Sequence, residues 1–442
     1  MAGKALRKMV PRSAHAAWKP APRRKDPLAI LRAQNATRMA ELVPVRMQRM
    51  AASPFAFLRG GAAIMAGDLA RTPVSGLDVM ACGDMHVSNF GVFASAERNL
   101  IFAINDFDEV HPGPLEWDLK RLAASAAIAV EFSGGTKDHS REAAEIVVRA
   151  YVRHMRRYAG MGAMEIWYDR IDQDAILAAV PRELAARTRR ALNRARGRGH
   201  QRSFERLTER TDGHHRLIEE PPLIMRSAHM QDGTPALEAL DGMLNDYMAS
   251  LLPERVQLLR NYRIRDAVRK VVGVGSVGTG CWAILLEGAN SEDPLFLQVK
   301  EARQSVLAPY VQTRFKFDNE GRRVVTGQRL IQGSPDIFLG WGHGLRRGAG
   351  DYYVRQLADM KGSLRINEGD RRAVPTLLVY CDLCGRALAL AHAKSGDAAK
   401  ISGYYGVGDA LPEAIGQFAM LYAQQNGIDH DRLVAAMRSG SI

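Results

Sequence analysis

Cysteine is scarce in this chain, four among 442 residues, too few and too scattered for a disulfide framework. Long apolar runs are missing too; the best candidate, around Leu122 to Val130, falls far short of the ~18 residues that a membrane span needs. The first 25 residues contain eight Lys or Arg and no acid, and no continuous apolar stretch there could serve as a signal peptide. Aromatic residues are nearly absent from the Arg-rich segment Arg182–Arg216, where Phe204 stands alone, so base stacking lacks its usual platform. These absences lead us to expect a soluble, cytoplasmic protein with no membrane partner. Nucleic acid is a minor option carried by the Arg182–Arg216 charge alone; a solvated helical face is the better reading.

What is present is ordinary in bulk: 46% hydrophobic and 25% charged residues, with a net charge of +13. The length exceeds usual single-domain size, so two lobes are expected. Composition shifts divide the chain into a basic flexible arm (1–25), a helical lobe with the first motif cluster (26–160) and an Arg-rich helical insertion (161–255). A sheet-rich lobe (256–348) follows, then a hinge with further helices (349–442). Pro44 and Pro54 read as helix breaks within residues 26–75. The lone Cys381-x-x-Cys384 lies in an apolar helical pattern with no second pair and reads as buried structure, not as a zinc or redox site.

Chemistry concentrates in CGDMHVSNFG, Cys82 to Gly91, and in the INDFDE that follows. Phosphoryl transfer needs a carboxylate to accept or orient the acceptor's proton, and an amide oxygen plus a second carboxylate to hold magnesium against nucleotide phosphates. Asp84 and Asn89 have the Asp-to-Asn spacing of the kinase catalytic loop, and Asp106 ends a strand where the metal-binding D-F-G would stand. The segment G-D-x-H-x-x-N, then N-D-F-D and W-D-L-x-R-L, resembles the corresponding loop of aminoglycoside phosphotransferases and related small-molecule kinases. That resemblance implies Asp84 as catalytic base, Asn89 and Asp106 as magnesium ligands, His86 as a residue orienting the loop, and Asp118 as a brace for the loop backbone. Asp118 can equally be a carboxylate favoured at a helix N-terminus.

The phosphate-covering part appears downstream, in VVGVGSVGTG, with Gly273, Gly275, Ser276 and Gly278 in a G-x-G-x-x-G pattern. In dinucleotide folds such glycines open a helix; here a strand follows, and a second strand ends in Lys300, the kinase arrangement for nucleotide phosphates. Gly280 stands where the kinase signature prefers valine. Glu320, in a helix NEGRRVVTGQRL, is the expected partner of Lys300, with Gln328 as the alternative. Arg46, Arg49, Arg59, Arg355 and Lys361 are candidates either for clamping an anion or for pairing with Glu116, Asp108 or Glu109. His392 reads as a core histidine.

The glycine loop and lysine thus follow the catalytic loop instead of preceding it. The expected fold is α+β: a circularly permuted, protein kinase-like two-lobed structure with a mainly helical large lobe and a small antiparallel-sheet lobe. Exposed, neighbouring termini make such a permutation physically permissible. The expected activity is an ATP- and Mg2+-dependent phosphotransfer to a hydroxyl acceptor, a small molecule or a protein. Nucleotidyl transfer stays open. The alternatives are a metal-dependent phosphoester hydrolase, for which Asp84-Met85-His86 supplies a D-x-H element but the rest of that pattern is missing, and a non-catalytic nucleotide-binding protein of the same fold. Over nearly its whole length the chain also resembles the bacterial domain-of-unknown-function family 2252, through LVPVRMQRMAASPFAFLRGGA, PGPLEWDLKRLAAS, GQRLIQGSPDIFLGW and GRALALAHAKSGD. That resemblance implies nothing definite about activity.

Overall fold

The structure, a computed structural model, describes residues 2–197, 200–211, 214–227, 235–290, 292–313, 315–344, 350–357, 360 and 362–442. With 52% helix, 16% strand and antiparallel sheets, the architecture is mixed α+β.

Helices α1 (Pro27–Asn35), α2 (Val43–Ala51) and α3 (Pro54–Gly60) open the chain after two short helical turns. Pro44 and Pro54 sit in first turns and start helices instead of breaking them, because the N–H that proline lacks has no intrahelical acceptor there. Ser53 caps α3 by accepting from Ala56 N at 3.1 Å. Residues 2–25 are not the free arm expected from their charge. Arg7 and Arg12 donate to the carbonyls of Tyr404 and Tyr405, and Arg24 bridges the carboxylates of Asp68 and Asp429. The cationic side chains find acceptors on the helical body, so charge that looked solvated is used for docking.

Strands β1 (Asp78–Ala81), β2 (Phe90–Ala94), β3 (Leu100–Ile104) and β4 (His111–Pro114) precede helix α4 (Leu115–Phe132). β1 pairs with β4 and β2 with β3, both antiparallel. Helix α4 is buried from Leu115 through Val130. Its C-terminal two-thirds is apolar and belongs in a core, while its first turns also bury Glu116, Asp118, Lys120 and Arg121; α4 packs there against α5 (Lys137–Tyr158) and the last long helix. The Arg-rich helix Arg182–Arg196 buries only Leu192 and Ala195, leaving its basic face to solvent. Arg198, Gly199, Asp212 and Gly213 of that segment lie outside the described residues.

Strands β5 (Arg263–Lys270), β6 (Cys281–Glu287) and β7 (Pro294–Ala302) form a meander; helix α6 (Glu320–Ile331), β8 (Gly340–His343) and β9 (Asp351–Gln356) follow. The sheet runs β8-β9-β7-β6-β5 with the two-residue strand Ile224–Met225 at its edge. Strand alternation sorts the side chains. Leu295, Leu297 and Val299 join Trp282 and Ile284 in a core capped by helix Ala236–Met248, while Phe296 packs on the opposite face with Phe204. Gln298 and Lys300 share that second face by the same alternation.

Helices α7 (Val374–Ser395) and α8 (Ala410–Arg438) complete the body. The stretch Arg371–Ser395 is long and apolar enough to pass for a membrane span, contrary to the expectation that no such run exists, and most of it is buried inside the protein. It packs against α5. Cys381 and Cys384 within it are buried free thiols, and burial pushes the Cys381 thiol up to about 12.

Gly83 connects β1 to the polar loop with φ of 75°, and an added Cβ would lie 2.6 Å from the carbonyl oxygen of Glu109. We predict that Gly83→Ala destabilises the fold by more than about 1 kcal/mol. Denaturant unfolding checks this; an unchanged midpoint would show that the loop tolerates another backbone conformation.

Candidate functional site

The loop after β1 is held from below. Asp118, in the first turn of α4, accepts from Cys82 N at 2.6 Å and from Gly83 N at 2.9 Å. Its Oδ2 also lies 3.3 Å from His392 Nε2, and His392 Nδ1 is 2.9 Å from the Tyr151 hydroxyl. The Asp118 carboxylate therefore bonds the backbone of the preceding loop, not only the N-terminus of its own helix, and His392 is a bonded core histidine.

Three residues along α4, hence on the same face, Arg121 reaches the next loop residue. Its Nε is 3.0 Å from Asp84 Oδ1, with a second, shorter contact from Nη2. Burial pushes the Asp84 carboxyl up, with Asp106 adding to the effect, while Arg121 and Arg59 oppose it; the net direction is upward. His86 is buried, with Nε2 3.8 Å from Asp84 Oδ2 and Nδ1 without a partner. Burial, then the cations Arg59 and Arg121, hold its imidazole well below the usual range, so it is neutral. Asn89 donates from Nδ2 to the Asp84 carbonyl at 2.7 Å, which turns the amide oxygen the other way.

The hairpin β2–β3 returns the chain to Asn89: Asn105 N donates to the Asn89 carbonyl at 3.0 Å. Asp106 follows, and its buried Oδ1 has no hydrogen-bond partner. Lys300 Nζ, from β7, lies 3.7 Å from that Oδ1 and 2.6 Å from Asp108 Oδ2. Tyr353 on β9 donates to the other Asp108 oxygen. Burial works against charge on both partners. Lys300, Tyr353 and Arg355 outweigh it at Asp108, which is held below its usual range. Asp106 and Asp108 outweigh it at Lys300, which is held well above.

Glu320 does not meet Lys300. Its Oε2 pairs with Arg323 Nε at 2.5 Å, and its backbone N–H is tied to Asp351. Gln328 bonds Gln332. The hydrogen-bonded partner of Lys300 is instead Asp108, two residues beyond Asp106, while Glu320 is held by Arg323, which also donates to the carbonyls of Val110, Asp108 and Arg303. The second acid of D-F-D was the available signal, as was the W-D-L-x-R spacing for Arg121.

The glycine loop closes over this group. Gly273 and Gly278 adopt φ of 63° and 85°, which glycine takes without strain. A Cβ on Gly275 would stand 3.4 Å from the Arg59 carbonyl and 4.0 Å from Asp84 Oδ2. The loop thus brings its backbone to the carboxylate that lies nearly 200 residues earlier in the chain. Gly280 accommodates the Glu301 carboxylate, which accepts from Gly280 N at 2.8 Å; this explains the missing valine. Between the loop and the carboxylates is a cavity of about 110 Å³ lined by Asp84, His86, Asn89, Asp106, Ser276 and Arg59 among others. Arg355 bonds Gln298 and the Asn105 carbonyl, and Lys361 lies outside the described residues.

Among the described residues no group of three His, Cys, Asp or Glu side chains is arranged to hold a metal alone. The site does fit a magnesium ion, which is typically held by one or two carboxylates together with substrate phosphates: Asp106 has a buried oxygen that, among the described residues, has no hydrogen bond, and Asn89, its amide N–H2 spent on the Asp84 carbonyl, lines the same cavity.

The chain belongs to the DUF2252 family, described as uncharacterized proteins conserved in bacteria, whose model matches residues 38–436. Comparisons with curated proteins and with solved structures gave no match.

Glu109, also on the cavity wall, is pushed up to about 7 by burial, with Asp84 and Asp108 adding and the Val306 N–H opposing. A carboxyl whose folded pKa exceeds its unfolded value contributes stability below the unfolded pKa that is lost as pH rises through the folded one. We predict a loss of about 3 kcal/mol between about pH 4.5 and 7, removed in Glu109→Gln. Parallel pH–stability curves for the two proteins would refute it.

Proposed function

We propose that the protein is a phosphotransferase of kinase-like fold, with ATP and Mg2+ as cosubstrates and a hydroxyl group as acceptor. The observation that carries this reading is the convergence in one cavity of Asp84, Asn89 and Asp106 with the glycine loop 273–278, and the contact of Lys300 with Asp106 at the same place. Those residue types in those roles are what in-line phosphoryl transfer requires: a carboxylate at the acceptor, a metal pair of amide and carboxylate, and backbone and lysine at the phosphates.

The topology supports it further. A three-strand meander carrying the glycine loop and the lysine, then a helix, then two more strands is the small-lobe order of kinases. The polar loop followed by a hairpin and Asp106 matches their catalytic and metal-binding segments. In this reading the chain is circularly permuted, with the small-lobe parts following the catalytic loop. One departure stands: Lys300 takes its carboxylate from the metal-binding segment, not from the helix.

Asp84 serves as the proton acceptor. Its raised pKa brings it closer to the operating range in which a general base is effective, and Arg121 fixes its orientation. Asn89 and Asp106 hold the metal, which when bound neutralises charge on the phosphate oxygens. Asp118 acts through the loop backbone and is a positioning residue. His86, neutral and buried beside Asp84, supports the loop wall.

Thermal unfolding with ATP tests the reading, since binding to the folded state raises stability by RT ln(1 + [L]/Kd). We expect a magnesium-dependent shift that Asp106→Ala and Lys300→Met abolish. Asp84→Asn should keep the shift and lower turnover by about 10²–10⁴-fold. Absence of any shift in the wild type would sink the proposal; full turnover in Asp84→Asn would sink the base assignment.

A further inference from the structure

The cavity has more cations than a nucleotide site accounts for. Arg121 and Arg303, at or near it, are each matched by a carboxylate, Asp84 and Glu301. Arg38, Arg46 and Arg59 also line it, yet among the described residues none has a carboxylate within ion-pair distance. Arg46 is fully buried with only neutral acceptors: Asn35 Oδ1 at 2.6 Å, Gln34 Oε1 at 3.0 Å and the Gly60 carbonyl at 3.3 Å. Arg38 bonds the Val277 carbonyl at 2.5 Å. The Nε atoms of all three arginines are buried and unpartnered.

A buried charge without a counter-charge is costly. The cost is seen at these guanidinium groups: burial, then repulsion by Arg303, draws Arg38 down to about 10 against the longer-range pull of Glu109 and Glu301, and burial, then repulsion by Arg38, draws the fully buried Arg46 down to about 9. Three such groups converging on one cavity form a site that an anion from outside would complete.

Position decides which anion. The arginines come from residues 38–59, not from the strand that supplies Lys300, and Arg59 lies close enough to Asp84 for the two charges to interact. A proton acceptor must touch the hydroxyl it activates, so Arg59, beside Asp84, meets the acceptor, and Arg38, at the edge of the glycine loop, and Arg46 next to it continue that cationic wall. We propose that the acceptor is itself an anion, a hydroxyl compound whose phosphate or carboxylate sits on Arg38, Arg46 and Arg59. This rests on the phosphotransferase reading of the same site.

The test uses inorganic phosphate as probe, titrated by calorimetry into the full chain with and without saturating magnesium and a non-hydrolysable ATP analogue. Phosphate should bind in both cases. Arg59→Gln should weaken phosphate by about tenfold, the loss of one charged hydrogen bond, with nucleotide affinity unchanged and the thermal midpoint confirming a folded variant. Mutual exclusion of phosphate and nucleotide would assign the arginines to the donor's phosphates and overturn the proposal. Equal phosphate binding by wild type and Arg59→Gln, or no phosphate binding at all, would also overturn it. Failure of nucleotide binding with phosphate binding intact would remove the phosphotransferase reading and the acceptor assignment with it, leaving an arginine anion site of another purpose.

Discussion

A single buried carboxylate orders the centre of this molecule. Asp118 sits in the apolar core at the start of α4, where an unpartnered charge would be prohibitive. It is tolerated because two backbone N–H groups and the His392 ring point at it. The same bonds fix the loop between β1 and β2. Since Asp118 and Arg121 lie one helical turn apart, one rigid element positions both the backbone and the side chain of Asp84. The site therefore depends on the core more than on loop sequence, and from Leu122 onward α4 is packed almost wholly with apolar side chains.

The second organising pair is Lys300 with Asp108, which ties the sheet to the helical body. Strand alternation brings Lys300 to the inner face, and Tyr353 on the neighbouring strand satisfies the carboxylate's other oxygen. Three side chains from separate parts of the chain thus close a buried polar network in which each is matched. Such a network rigidifies the interface between sheet and body while leaving Asp106, two residues away, with an oxygen that, among the described residues, has no hydrogen bond and only the long ion pair with Lys300 at 3.7 Å. The contrast between the hydrogen-bonded Asp108 and the loosely held Asp106 is what marks the latter as a ligand-facing group.

Much of this was legible in the sequence. The strand–glycine loop–strand order, the helix start at Asp118 and the strand ending in Lys300 follow from periodicity and turn residues, because each is a local property of the chain. The loop residues Asp84, Asn89 and Asp106 could be singled out because packing gives no reason for such polar groups in an apolar run. What could not be read were pairings set by tertiary geometry. Glu320 looked like the partner of Lys300 by analogy of spacing, yet Arg323 one turn later captures it. The basic N-terminal residues looked solvated because the carbonyls and carboxylates that receive them lie about 45 to 400 residues downstream. Gly280 looked like a defect until Glu301 was placed beside it.

The segment spanning α1 to α3 also touches the glycine loop directly. Arg49 donates to the Gly273 carbonyl, Arg38 to that of Val277, and Met39 N to that of Gly278. In a planar trans peptide the carbonyl and the following N–H point in opposite directions. Each carbonyl drawn toward this segment therefore turns the next amide, at Val274, Gly278 and Thr279, away from it. A stretch of chain remote in sequence thereby fixes which way three of the loop's peptide groups face, before any ligand arrives.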